Sequence, residues 1–114
     1  MIFSNADSTR QIEISPQEVV AALKSTLPPR LLDVRTPEEW ELAHIDGTTL
    51  ITEVFAKEML EWTKDTPIVF YCHHGQRSLN AASYFIEQGF TNVRSMTGGI
   101  DTWSQEIDSS IPRY

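Results

Sequence analysis

From Pro67 to Cys72 the chain reads Pro-Ile-Val-Phe-Tyr-Cys, with no charged side chain to turn toward water on either face. A strand apolar on both faces must be covered on both, which is how a central strand of a parallel sheet reads. Parallel strands need crossover connections, and the flanking sequence supplies them as helical patterns between short apolar runs.

Gln11 to Ile14 reads as a first short strand. Ser15-Pro16-Gln17-Glu18 then carries a helix start: Ser15 as N-cap, Pro16 at the first helical position and Glu18 at the reciprocal capping position. Val19, Val20, Leu23 and Leu27 share one face of that helix, and Pro28-Pro29 is expected to end it, because proline cannot continue a helix. "RLLDV" is a second strand, and "TPEEW" repeats the capping signature with Thr36 and Glu39. A turn at Asp46-Gly47 precedes a third short strand. A helix is expected from about Thr52 to Trp62, with Val54, Phe55, Met59 and Trp62 as its apolar contacts. Past Cys72, Leu79, Ala82, Phe85 and Ile86 recur at helical spacing, and Gly89 is a natural stop. "NVRSM" is a further strand, and "TGGIDTW" turns into a last helix ending near Ile107. The tail "SSIPRY" is expected to be an irregular surface segment. These elements predict one α/β domain over residues 1–114, its core spanning about residues 11–112.

At 114 residues and 40% hydrophobic content, the chain can bury a core without disulfides or metals. Its single cysteine cannot form an internal disulfide, so any thiol chemistry needs a reducing compartment or an external partner. A formal net charge of -7 argues against nucleic acid or an anionic membrane as partner. That charge is unevenly spread. Thr66 to Ile100 holds two basic residues, Arg77 and Arg94, against one acidic residue, Glu87. The rest carries seven basic and fifteen acidic residues, so the segment around the cysteine is spared and would suit a small anionic substrate. Nothing approaches the roughly 20 apolar residues of a membrane span. "MIFSNADSTRQ" has no basic region and no apolar stretch of signal-peptide length, so the expected location is cytoplasmic.

The chemistry gathers at "YCHHGQRS". Ligands of open parallel sheets bind beyond the carboxyl ends of the strands, and Cys72 sits at such an end. The loop from Cys72 to Arg77 runs straight into a helix, so backbone N–H groups and the positive helix end should face one small volume. Gly75 allows a tight bend there. The thiolate is the useful nucleophile, and a helix N-terminus stabilises an anion by up to about 2 kcal/mol when partly buried. Loop amides and the charge of Arg77 can add to this, so no general base is required. A core cysteine would need no polar, glycine-containing loop after it.

Cys-x4-Arg followed by Ser at a strand-to-helix turn resembles the active-site loop of rhodanese-like sulfurtransferases. "LLDVRTPEEWELAHIDG" (residues 31–47) and "TGGIDTW" (residues 97–103) resemble that family's flanking signatures, in order and spacing. The resemblance implies a five-stranded parallel sheet of order 1-5-4-2-3 flanked by helices. It also implies a mechanism: Cys72 accepts a sulfane sulfur as a persulfide and passes it to a nucleophilic acceptor. Amides from His73, His74, Gly75, Gln76 and Arg77 would cradle the terminal sulfur. Asp33 and Arg35 match positions that brace the site through polar contacts. The donor would be a small anionic species such as thiosulfate. The acceptor would be cyanide, a thiol such as glutathione or thioredoxin, or a protein. No cofactor and no metal are expected.

Other readings stand beside this one. A phosphatase or arsenate reductase-type enzyme is the second reading: phosphatases on the same fold use five residues between cysteine and arginine, making a cradle wide enough for a tetrahedral oxyanion, whereas "HHGQ" is four. A non-catalytic regulatory or sulfur-carrier module is the third reading, although such modules commonly lose the cysteine. Arg77 can face substrate or brace the loop against a carboxylate such as Glu39. His73 and His74 can bind an anion or simply shape the loop. Zinc wants three or four converging ligands, and the remaining histidine, His44, reads as structural. Trp40, Trp62 and Trp103 read as packing residues. Ser78 reads as a helix-start residue, not as a nucleophile.

Overall fold

The computed structural model describes residues 12–114, so Gln11 and the amino-terminal segment read for targeting signals lie outside it. Ten elements follow in the order β1 (Glu13–Ile14), α1 (Pro16–Leu23), β2 (Arg30–Asp33), α2 (Pro37–Leu42), β3 (Thr49–Leu50), α3 (Glu53–Met59), β4 (Ile68–Tyr71), α4 (Gln76–Glu87), β5 (Val93–Met96) and α5 (Gly99–Glu106). The strands form one five-stranded sheet of order β1-β5-β4-β2-β3, with every neighbouring pair parallel. This is the topology that the family resemblance implied.

All four residues of β4 are buried, as the apolar run required. Its side chains alternate between two cores. Val69 and Tyr71 pack with Val19, Leu31, Met96, Ile100 and Trp103 on one face. Ile68 and Phe70 pack with Leu32, Met59, Ala82, Phe85 and Val93 on the other. The sheet thus lies between α1 and α5 on one side and α3 and α4 on the other, each face covered by helices that its crossovers supply.

Both capping boxes form. Ser15 Oγ accepts from Glu18 N–H at 3.1 Å while Glu18 Oε1 accepts from Ser15 N–H at 3.0 Å. Thr36 Oγ1 and Glu39 Oε1 do the same for α2, both at 3.2 Å.

Three expectations need correction. The first helix does not run to the prolines: α1 stops at Leu23, and Leu27 is 75% exposed. Ser25 ends it locally, its N–H and Oγ both donating to the Ala22 carbonyl at 3.1 and 2.6 Å. The third helix starts behind Thr52, whose Oγ1 accepts from Phe55 N–H, but it ends at Met59. Trp62 lies past it in a turn, edge-on to Phe55 at 5.8 Å and beneath the Arg30 guanidinium, while Val54 faces solvent. The tail is no mere surface segment either. Ile111 is buried in the first core, and its carbonyl accepts from the buried Ser104 hydroxyl at 2.5 Å.

Candidate active site

Strand β4 ends at Tyr71, so Cys72 is the first residue past the carboxyl edge of the sheet, and it is 1% exposed. Register places Asp33 beside Tyr71 and Ser95 beside Phe70, so the ends of β2 and β5 flank the cysteine. The loop is pinned at its start by α5. Ile100 N–H donates to the Cys72 carbonyl at 2.8 Å, and Asp101 N–H donates to the His73 carbonyl at 3.1 Å. That approach is possible only because residue 99 is glycine: a methyl there would collide with both carbonyl oxygens. The sequence reading treated "TGGIDTW" as a signature and missed this role, although a Gly-Gly pair at a helix start signals close backbone approach.

The loop then turns back on the sulfur. Cys72 Sγ accepts from the N–H groups of Gly75 at 3.1 Å and Ser78 at 3.3 Å, and lies 3.4 Å from Ser78 Oγ. Gly75 makes the turn with a left-handed φ of 109°, and a Cβ there would sit 3.2 Å from the Gly98 nitrogen. It also caps α4 without any side-chain hydrogen bond. Among the described residues, the amides of His74, Gln76 and Arg77 have no hydrogen-bond acceptor, as befits the open first turn of a helix. The Gln76 side chain turns along α4, its Nε2 donating to Asn80 Oδ1 at 3.4 Å.

Ser78 is more than a helix-start residue. Its buried hydroxyl lies 2.8 Å from the equally buried Ser95 Oγ and 3.2 Å from the Gly75 carbonyl, so a polar thread runs from β5 to the sulfur. Ser95 escaped the sequence reading, because a serine inside "NVRSM" has nothing to mark it.

Arg77 meets the carboxylate that its bracing reading named. Its guanidinium grips Glu39 through two parallel bonds, Nη1 to Oε1 at 2.7 Å and Nη2 to Oε2 at 2.9 Å. These bonds hold the Glu39 carboxyl well below the usual carboxylate range. Asp33 and Arg35 form a buried pair behind it, with Arg35 Nη2 at 2.6 Å from Asp33 Oδ2 and at 2.7 Å from the Ala43 carbonyl. Tyr114, overlooked in the sequence, joins the two systems. Its hydroxyl accepts from Arg35 Nη1 at 2.7 Å and donates to Glu39 Oε2 at 2.7 Å.

His73 lies between two rings, with centroids 3.8 Å from His74 and 4.0 Å from Tyr114. Burial, with the neighbouring His74, pushes its pKa down, and its Nε2 is buried with no partner among the described residues. His74 is largely exposed, 3.8 Å from Asp101. Ligand atoms of His73, His74 and Asp101 fall within 4.8 Å of one another, so Asp101 stands where a third ligand would. The two imidazoles are stacked, however, so their in-plane lone pairs run side by side, and both Asp101 oxygens already accept from Arg113. His44 is structural, stacked on Trp40 with Nδ1 at 2.9 Å from the Trp40 carbonyl. A surface hollow lined by Ile12, Phe90, Asn92 and Val93 lies at the opposite edge of the sheet. No helix of the described residues is long and apolar enough to cross a membrane.

Residues 15–106 match the family model described as Rhodanese-like domain. A thiosulfate sulfurtransferase GlpE from Pseudoalteromonas translucida is 32% identical over 114 residues, covering 99% of this chain and 100% of that protein. The human single-domain sulfurtransferase TSTD1 superposes with a TM-score of 0.72 over 83% of this chain and 96% of its own, at 24% identity. A protein of unknown function from Rhodopseudomonas palustris, described as a possible tyrosine phosphatase, gives a TM-score of 0.66 at 27% identity, covering 95% and 89% of the two chains.

Proposed function

We propose that this chain, which belongs to the rhodanese-like domain family, is a sulfurtransferase that carries sulfur on Cys72. The observation behind this reading is the loop itself. Two amides already hold Sγ at 3.1 and 3.3 Å, and three more on the same short turn have no acceptor among the described residues. Such a concave set of donors favours a sulfur anion over a neutral thiol.

The thiolate of Cys72 attacks the sulfane sulfur of a small anionic donor such as thiosulfate. The new S–S bond forms as the donor's S–S bond breaks, and sulfite leaves with the electron pair. The outer sulfur of the Cys72 persulfide carries the negative charge, within reach of the open amides of His74, Gln76 and Arg77. A nucleophilic acceptor (cyanide, a thiol such as glutathione or thioredoxin, or a protein thiol) then attacks that sulfur and regenerates the thiolate. Arg77 is tied to Glu39, so its charge acts on the sulfur from the side and its main task is to hold the loop. Four residues between Cys72 and Arg77 favour one sulfur atom over a phosphate group.

Intact-mass spectrometry after incubation with thiosulfate tests the reading. The wild type should gain one sulfur, about 32 Da, removable by cyanide or dithiothreitol, as a persulfide is. Cys72→Ser should lose both the adduct and thiocyanate formation. Sulfur transfer retained by Cys72→Ser would sink the assignment, and Cys72-dependent hydrolysis of an aryl phosphate in place of sulfur transfer would favour the phosphatase reading.

A further inference from the structure

We propose that Tyr114 is the residue that positions the Cys72 loop for sulfur transfer, an inference that rests on the function just given. The loop has two ends, and Tyr114 holds both. Its ring stacks on His73, the first residue after the cysteine, at 4.0 Å and 9°. Its hydroxyl holds the other end through an intermediary, donating to the same Glu39 carboxylate that grips Arg77.

The arrangement is directional. Arg35 is fixed by the buried Asp33 carboxylate and the Ala43 carbonyl, so its Nη1 is a rigid donor aimed at the Tyr114 hydroxyl. With one lone pair so occupied, the phenol proton points to Glu39 Oε2, which orients the carboxylate for its two-pronged bond to Arg77. The chain Asp33–Arg35–Tyr114–Glu39–Arg77 therefore transmits the rigidity of strand β2 to the far end of a loop grown from β4. Arg113 adds a second tie beside it, with Nε at 2.9 Å from Asp101 Oδ1, which fixes the tail next to the α5 amides that pin the loop's start. The tail is anchored further back by Ile111 in the core, so Tyr114 enters the site from a fixed direction. Loop amides set a few tenths of an ångström wrong no longer converge on one sulfur atom, which is why such a tether should act on the chemical step.

Two substitutions separate the two holds. Tyr114→Phe removes the hydroxyl and keeps the ring on His73; Tyr114→Leu removes both. With the thiosulfate adduct of the wild type as the check on the function itself, kcat/KM for thiosulfate should fall about tenfold in Tyr114→Phe, the worth of one charge-assisted hydrogen bond, and further in Tyr114→Leu. The melting temperature of Tyr114→Phe should stay within a few degrees of wild type, which a merely structural role would not predict. The loss from Tyr114→Phe should also shrink when Arg77→Lys is already present, because both act on one tether. If the wild type loads sulfur and both Tyr114 variants turn over like it, the proposal fails while the function stands. Fully additive losses from Tyr114→Phe and Arg77→Lys would equally overturn it, by showing that Tyr114 does not act through Arg77.

Discussion

Arg77 and Glu39 meet side-on, guanidinium to carboxylate, across 38 residues of sequence, with both prongs under 3 Å. Glu39 simultaneously closes the capping box of α2, so one carboxylate joins a helix start to the Cys72 loop. Glu39→Gln should cut sulfur transfer while costing at most about 1 kcal/mol of stability, since the pair is partly exposed and screened. Because the folded carboxyl titrates below its ordinary value of 4.5, its contribution is present above that pH and is lost as pH falls through the folded value. The stability gap between wild type and Glu39→Gln should therefore be widest near neutrality and close in acid. Denaturant titrations at stepped pH check this, and a gap that widens below pH 4.5 would contradict it.

The Ser78–Ser95 pair predicts a particular non-additivity. Ser78→Ala leaves the buried Ser95 hydroxyl without the partner it meets at 2.8 Å, a loss of about 1–3 kcal/mol. Removing both hydroxyls leaves no orphan, so the double alanine variant should be more stable than the sum of the two single losses implies. Sulfur loading should still fall in Ser78→Ala, whose hydroxyl lies 3.4 Å from Cys72 Sγ. Chemical denaturation of the four proteins decides the first point, and adduct yield the second.

Gly99→Ala should be among the most damaging small changes. The added methyl runs into the carbonyl oxygens of Cys72 and His73, which are backbone and cannot swing aside. We expect a loss of about 1–3 kcal/mol, the range of overpacking with backbone displacement. Thiosulfate loading should drop as well, because α5 can no longer seat the loop's first two carbonyls. Wild-type stability and loading together would mean that the loop and α5 are not held this closely.

The buried Tyr71 phenol gives the alkaline limb. Burial, with Asp33 nearby, pushes its pKa up to about 12 from an ordinary 10.0. Its hydroxyl accepts from Ile45 N–H at 3.3 Å and sits 3.0 Å from Thr48 Oγ1. A raised folded pKa means stability that is complete below 10.0 and is lost as pH climbs toward about 12, by roughly 2–3 kcal/mol in all. Tyr71→Phe should flatten that part of the stability curve. Phenolate absorbance should lose one late-ionising tyrosine in Tyr71→Phe, Tyr114 being raised as well, and an unchanged late component would rule out this assignment.

What could be read from the residues beforehand was the part of the molecule governed by local rules. Ser15 and Thr36 announce their helices because a cap bonds three residues away, and β4 announces itself because burial on both faces leaves no polar alternation. Cys72, Gly75 and Arg77 were legible for the same reason, since one short loop contains them. Tyr114 was not. Its partners Arg35 and Glu39 lie 79 and 75 residues away, and a tyrosine after "SSIPR" has no periodic neighbours to reveal which way it faces. The early stop of α1 was hidden by the prolines, whose strong signal masked a weaker one in Ser25.

The double cover of β4 has a consequence for when the thiol can be reached. A strand enclosed by two cores gives up its amide protons only when the whole molecule opens, whereas a loop fastened by a few polar ties can breathe on its own. Cys72 stands at the join of these two regimes, with its backbone carbonyl bonded to α5 and its sulfur under the loop. Hydrogen exchange should therefore find the slowest amides directly before the cysteine and much faster ones directly after it. On the proposed function, the sulfur-carrying atom thus stands beside the part of the fold expected to come apart last.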